Sequence, residues 1–312
     1  MTAPAFPPSP PPSLWADLGG DVHYVDYGGP ADAPLLVCVH GLGGSHLNFA
    51  ALAPHLTDRA RVIALDLPGF GLTRPGTRSA SVHANQALLH RFLTDVVREP
   101  AILVGNSMGG LITLMEAAAH PETVAAAVLV DPALPMTRRG RPDPLVSATF
   151  AMYAVPRLGM RVLNARRRLG PRRAVAEVLK MCCVDPGRVP ADVVEQHVEL
   201  ARARGDFTEA PAAMIEAARS LMLVLARRRR FAAMSDRVTC PVLLLHGDSD
   251  RLVPLASAEA VSRTQPGWRF EVARDLGHVP QLEDPTWTAG RILDWLSSEA
   301  VGTDPEAQGR AS

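Results

Sequence analysis

A set of short apolar runs punctuates this 312-residue chain and limits its fold more than any other feature. Leu35 to Val39, Arg61 to Leu65, Ala101 to Val104, Val124 to Val130 and Pro241 to His246 are nearly continuous in Leu, Val, Ile and Ala, and a weaker run lies near Trp268 to Val272. Continuous apolar character over so few residues marks a strand covered on both faces, the situation inside a parallel sheet. Asp21 to Tyr27 alternates instead, as an exposed strand does, before Gly28-Gly29-Pro30 turns the chain. Helical spacing fills the intervals, predicting helices from about His46 to Leu56, from Ser81 to Val97 and from Leu111 to Ala119. Strands and helices in this rhythm predict an α/β fold, a doubly wound, mostly parallel sheet. Ligands then belong at the carboxyl ends of the strands.

The rhythm stops at Pro135. Strand-like runs give way to helical stretches at Leu145 to Ala154, Ala174 to Cys183, Ala191 to Ala203 and Ala210 to Leu225, and the sheet pattern resumes only at Pro241. Charge changes over the same span. Pro135 to Arg237 holds 20 of the 32 Lys and Arg but 10 of the 32 Asp and Glu, so this third is about +10 and the remainder about −10 in a chain of zero formal charge. The expected organisation is a Pro-rich, disordered leader over 1–18, a core over 19–134 and 238–298, a helical insertion over 135–237 and a flexible tail over 299–312. The leader has neither a basic start nor an apolar core, unlike a signal peptide. No apolar stretch reaches the length of a membrane span.

Cys38, Cys182, Cys183 and Cys240 are too few for a disulfide framework at this length, and they read as buried hydrophobes or free thiols of a reducing, cytoplasmic setting. Paired His and Cys spacing is lacking, so no metal and no other cofactor is expected. Balanced charge gives no reason to expect nucleic acid as a partner. Oligomeric state is not encoded in any motif.

Chemistry concentrates in Gly105-Asn106-Ser107-Met108-Gly109, a G-x-S-x-G motif between a strand and a helix. That context is the nucleophile elbow, a turn so tight that Cβ atoms at Gly105 and Gly109 would meet the adjacent helix and strand. Ser107 then sits exposed at a helix N-terminus, where the N–H of Met108 and the helix dipole face developing negative charge. A serine hydroxyl is a weak nucleophile, so it needs a base and a group to orient that base. Asp248 and Asp250 follow the run ending at His246, and Asp275-Leu276-Gly277-His278 follows the last run. A Gly-Ser turn that merely starts a helix is the plain alternative for the motif taken alone.

With the glycine-rich loop His40-Gly41-Leu42-Gly43-Gly44 and the run Asp66-Leu67-Pro68-Gly69-Phe70-Gly71, these motifs resemble, in order, those of the α/β-hydrolase superfamily. The resemblance covers roughly Asp21 to Leu296. It implies Ser107 as nucleophile, His278 as general base and acid, and Asp250 as orienting acid, at the aspartate of Gly247-x-x-Asp250-x-x-Val253-Pro254. In some branches of the family the acid follows the strand after the elbow helix, which points to Asp131. The oxyanion hole would be the N–H groups of Leu42 and Met108, in a loop supported by His40, Gly41 and Gly43, with His40 organising the loop rather than acting as base. The insertion resembles the family's cap.

A serine rather than an aspartate at the elbow disfavours epoxide hydrolases and haloalkane dehalogenases. It implies hydrolysis of a small-molecule carboxylic ester, as in carboxylesterases and lipases. Carbon–carbon bond hydrolases of ring-cleavage products share the elbow wording but usually place an aromatic residue after the histidine, where this chain has Val279. Cofactor-free haloperoxidases share the triad, and non-catalytic members of the family usually lack part of it. Phe150, Met152, Tyr153, Met181, Met214, Leu221, Met222 and Leu225 are candidates for an acyl-facing cap surface. Arg166, Arg167, Arg168 and Arg227 to Arg230 admit two interpretations, solvated helix faces or a contact with anionic substrates or a membrane surface; the former is the preferred reading.

Overall fold

The computed structural model describes residues 11–137, 140 and 143–298. Its centre is an eight-stranded sheet: β1 (Ser13–Asp17), β2 (Asp21–Gly28), β3 (Leu35–Val39), β4 (Arg61–Leu65), β5 (Ala101–Asn106), β6 (Val124–Val130), β7 (Val242–Gly247) and β8 (Arg269–Ala273). The spatial order is β1-β2-β4-β3-β5-β6-β7-β8. β1 and β2 run antiparallel, as does β2 against β4, and all later pairs are parallel.

The apolar runs are explained by helices on both faces. Val37, Val39, Leu65, Leu103, Leu129 and Leu244 face one buried layer, with α1 (Val82–Arg91) and α2 (Met108–Ala119). Leu36, Cys38, Val62, Val104, Val128 and Leu243 face the other, against Phe49 and Trp295 of α11 (Pro285–Ser298). Every second residue therefore has a different partner, yet none meets water. β8, at the sheet edge, is only partly buried, which accounts for its weaker signal.

The leader expected over 1–18 is corrected at its end. Ser13–Asp17 is a strand, paired with Asp21–Val25 of β2. Proline ends at Pro12, so every residue from Ser13 carries the N–H that a ladder requires. The rest of the leader, residues 1–10, and the tail from 299 lie outside the described residues. The helix expected from His46 to Leu56 is two short 3-10 turns, His46–Phe49 and Ala53–His55; Ser45 and Asn48 cap the first, and Pro54 opens the second. The helix expected from Ser81 to Val97 is α1 followed by a widened π-type stretch, Phe92–Val97, which Arg98 ends at φ 63°.

Among the described residues, six α-helices lie between β6 and β7: α3 (Pro144–Ala154), α4 (Pro156–Arg167), α5 (Pro171–Cys182), α6 (Ala191–Ala203), α7 (Ala210–Ala226) and α8 (Arg228–Ser235). Leu179, Cys183, Val189 and Val193 pack with Leu47, Ala51, Val279 and Leu282 in a third apolar cluster, which joins α5 and α6 to the core loops. After β7 come α9 (Leu255–Thr264) and the single turn α10 (Pro280–Glu283). Among the described residues no helix is long and apolar enough to cross a membrane.

Candidate active site

The sheet order reverses at β3: the chain moves from β3 to β4 on one side, then returns to β5 on the other. The loops leaving β3 and β5 diverge at this switch point, which opens a crevice at the carboxyl edge. Val39 and Gly105 are the last paired residues of the two strands, so the His40 loop and Ser107 emerge side by side. A Cβ placed on Gly41 would lie 2.9 Å from Ser107 Cβ. The elbow obeys the geometry read from its glycines. A Cβ at Gly105 would lie 2.5 Å from Gly109 O and Thr113 Oγ1, and one at Gly109 would lie 2.0 Å from Val39 O. Ser107 itself has φ 54° and ψ −119°, a conformation that L residues rarely adopt. Met108 begins α2, so its N–H has no acceptor within the helix.

His278 and Asp250 are brought together. His278 Nδ1 donates to Asp250 Oδ2 at 2.7 Å, and both residues are buried. This bond assigns the proton to Nδ1 and leaves Nε2 as an acceptor; Nε2 is buried and has no hydrogen-bond partner in this structure. Asp250 Oδ1 accepts the N–H groups of Leu252 and Val253 at 2.7 and 3.1 Å. Burial would push the Asp250 carboxyl up, but the charge and hydrogen bond of His278 outweigh it and hold the group below the usual range. Asp248 is exposed and accepts from Asp275 N at 2.9 Å, bracing the loop rather than the histidine.

Asn106, quoted in the motif without a role, ties the two halves together. Its Nδ2 donates to Val130 O at 3.0 Å and to His278 O at 3.1 Å. The residue before the serine thus holds the histidine loop against the elbow. From the end of α5, Cys182 O accepts His278 N–H at 2.6 Å, and Glu283 of α10 accepts Gly277 N–H at 2.9 Å and Asp185 N–H at 2.8 Å. No periodicity or short motif signals these contacts, because all but the Gly277–Glu283 bond depend on a partner far away in sequence.

His40 is a loop organiser. Its Nε2 accepts Leu67 N–H at 3.0 Å, so Nδ1 carries the hydrogen and donates to Gly41 O at 2.7 Å. Burial pulls its pKa down to about 4, which keeps it neutral. Asp66 anchors the neighbouring run, accepting His23 Nδ1 at 2.7 Å, His46 N at 2.7 Å and Leu72 N at 2.8 Å. Burial opposes its charge, yet His46 and His23 hold the carboxyl far below the usual range.

Gly43 lies against α7. A Cβ there would stand 3.5 Å from Met214 Cε of α7. Arg204 donates Nη2 to Gly69 O at 2.8 Å and also bonds Gly71 O through Nη1. Of the apolar cap residues, Tyr153 and Leu221 are buried, Met152, Met181, Met214, Met222 and Leu225 are half-buried, and the Phe150 side chain lies outside the described residues, as do those of Arg166 and Arg167. Among the described residues, three groups bring His, Asp or Glu donor atoms within 4.8 Å of one another: His23, His46 and Asp66; His90, Glu116 and His120; and Asp131, Asp250 and His278. In the first and third, Asp66 and Asp250 direct both oxygens at protein donors, an arrangement built for hydrogen bonds.

The chain is 28% identical over 273 residues to the dihydrolipoyllysine-residue acetyltransferase component of the acetoin cleaving system of Cupriavidus necator, covering 86% of this chain and 65% of that protein, just under two thirds. It is 22% identical over 291 residues to monoacylglycerol lipase ABHD6 of Homo sapiens, covering 89% of this chain and 81% of the lipase. The crystal structure of a membrane phospholipase A, a bacterial virulence factor, superposes with a TM-score of 0.72 at 27% identity, over 92% of this chain and 86% of that one. The model of the alpha/beta hydrolase family matches residues 36–291, and with the sheet order and elbow described above the protein belongs to that family.

Proposed function

We propose that the protein hydrolyses carboxylic esters through an acyl-enzyme formed on Ser107, with His278 as general base and acid and Asp250 as its orienting acid. The observation that carries this reading is His278: Asp250 holds Nδ1–H, Nε2 is a buried acceptor, and Asn106 straps the same loop to the strained serine turn. In the first half-reaction Ser107 Oγ attacks the ester carbonyl while its proton passes to Nε2. The tetrahedral oxygen accepts hydrogen bonds from the N–H groups of Leu42 and Met108, each worth about 10²–10³ in rate. His278 then gives the proton to the departing alcohol, and water, deprotonated by the same nitrogen, releases the acid. Asp250 stabilises the imidazolium without taking its proton.

Support for an ester rather than another bond comes from the relatives named as a monoacylglycerol lipase and a phospholipase A. Cleavage of a carbon–carbon bond needs the same triad and differs in the substrate that the cap admits. A chromogenic ester series with an aromatic dienoate beside it separates the two. Ser107→Ala is expected to lower turnover by several orders of magnitude, down to a residual from binding and the oxyanion hole, while leaving the fold intact. A fluorophosphonate should label wild type at Ser107 and leave the variant unlabelled. Undiminished turnover by a folded Ser107→Ala protein would refute the assignment.

A further inference from the structure

Asp131 sits where β6 ends, with φ 44°, in the left-handed region that a non-glycine residue seldom occupies. The turn drives its side chain beneath β7, fully buried, where Oδ1 accepts Gly247 N–H at 2.9 Å. Oδ2 is buried and receives no hydrogen bond. The carboxyl stands beside that of Asp250: one ligand atom from each of Asp131, Asp250 and His278 lies within 4.8 Å of the others. Asp250 offers no proton, since its oxygens already accept His278 Nδ1–H and two backbone N–H groups. His246 offers none either. Its Nε2 is committed to Val253 O at 2.8 Å, and its bare Nδ1, the neighbouring buried atom without a partner, stands 3.6 Å from Asp131 Oδ1. Three acceptors therefore converge with no hydrogen between them. Of two carboxyls buried this close together, one is strongly driven to keep its proton.

We propose that Asp131 is a protonated carboxylic acid that donates its hydrogen to Asp250, acting as a positioning residue that holds the Asp250 carboxylate in the rotamer that receives His278. This rests on the catalytic roles assigned to Asp250 and His278 above. The groups facing the acid are Asp250, His246, His278 and Glu283. Burial, then the charges of Asp250 and Glu283, favour the neutral acid, and the Gly247 N–H opposes them. Burial likewise lowers the proton affinity of His246, against the alternative of a His246 imidazolium paired with an ionised Asp131. The arrangement leaves the Asp131–Asp250 pair with one negative charge rather than two, so the imidazolium formed in the reaction is not over-stabilised and returns its proton readily to the leaving alcohol.

The test uses the whole protein with Asp131→Asn and Asp131→Ala. Asn keeps an acceptor for Gly247 N–H and an N–H donor for Asp250, and it tolerates positive φ; Ala keeps neither polar group. The rate of fluorophosphonate labelling at Ser107 is followed against pH. The proposal expects Asp131→Asn to stay within about threefold of wild type with the acid limb in place, because one neutral group replaces another. It expects Asp131→Ala to fall by about tenfold, the size of one lost hydrogen bond to a charged group. A downward move of the acid limb in Asp131→Asn by about a pH unit would mean that a negative charge beside His278 had been removed, and would overturn the proposal. The infrared spectrum in D2O gives a reading independent of catalysis: wild type should show a protonated-carboxyl C=O band at neutral pH that disappears in Asp131→Asn. Persistence of the band in the variant, or its absence from wild type, overturns the proposal even if Asp131→Ala fails to fold. Should wild type resist labelling at Ser107, the serine-hydrolase reading fails, and the band still decides where the proton is.

Discussion

His40 and His278 carry their hydrogens on the same ring nitrogen for unrelated reasons: a backbone N–H occupies Nε2 of one, and a carboxylate draws Nδ1–H of the other. The difference has consequences that pH can read. The ordinary histidine pKa of 6.5 falls to about 4 at His40 through burial, so the unfolded chain takes up a proton in a range where the folded one resists it. Stability from this group is complete above 6.5 and is lost as pH falls towards 4. At about pH 5 the loss should be about 2 kcal/mol, or several degrees in Tm for a domain of this size. His40→Gln should therefore narrow the Tm gap between about pH 7 and about pH 5 in calorimetry, and an unchanged gap would contradict the burial argument. Asp250→Asn reverses the hydrogen bond that orients His278 and should lower kcat by about 10⁴ with little change in KM. If instead Asp131→Asn caused that loss and Asp250→Asn did not, the acid would be the one after β6.

At the scale of elements, the elbow depends on how closely α2 approaches β3. A methyl at Gly109 would lie 2.0 Å from Val39 O, an overlap that neither backbone can relieve without parting the strand from the helix. Gly109→Ala is therefore expected to destabilise the fold by several kcal/mol, measured as a lower urea midpoint, well beyond the usual effect of a core overpacking. A near-neutral midpoint would mean that the elbow is looser than described. Elements also explain where local spacing and composition mislead. The interval His46 to His55 has apolar residues at helical spacing, but the Ser45–Asn48 capping exchange and Pro54 break it into two turns. Ser13–Asp17 lies beside a proline-rich segment, yet its backbone finds a partner in β2, and His23 Nε2 meets Ser13 Oγ at 2.9 Å. Strand pairing of this kind leaves no mark on local composition.

Across the whole molecule, the helical insertion between β6 and β7 is a third of the chain, and it touches the candidate site at defined points: Cys182 O on His278 N, Arg204 on the Gly69 to Gly71 turn, and Met214 over Gly43. Its arginines are partly used within the protein. Arg172 makes two contacts of 2.6 Å with Glu195, and Arg188 bonds Asp275 O at 2.7 Å. The half-buried methionines, which adapt to varied shapes, suit a surface that faces acyl chains of several lengths. Each methylene buried should add up to about 0.8 kcal/mol, roughly a fourfold rise in kcat/KM, until the space is filled. Measured along an ester series, the expected outcome is a rise followed by a fall. A flat profile would remove the cap from acyl recognition, and a preference for anionic esters that salt abolishes would assign that work to the arginines.

The sequence by itself determined the strands that lie inside the sheet and the turn that bears Ser107, because both are local: apolar runs reflect burial on two faces, and the glycines are demanded within five residues of each other. It also carried His278 and Asp250 as members of ordered motifs. Only the tertiary structure decided what surrounds them. Asp131 meets Gly247 across 116 residues of chain, Asn106 meets His278 O across 172, and Cys182 reaches the histidine from the cap. These contacts arise from β6 lying beside β7 in the sheet and from the packing of α5 on the core, long-range pairings that no periodicity records. The pairing of Asp131 with Asp250 is of the same kind: one carboxyl in a sequence is an ordinary acid, and only a second one buried beside it changes which of them holds a proton.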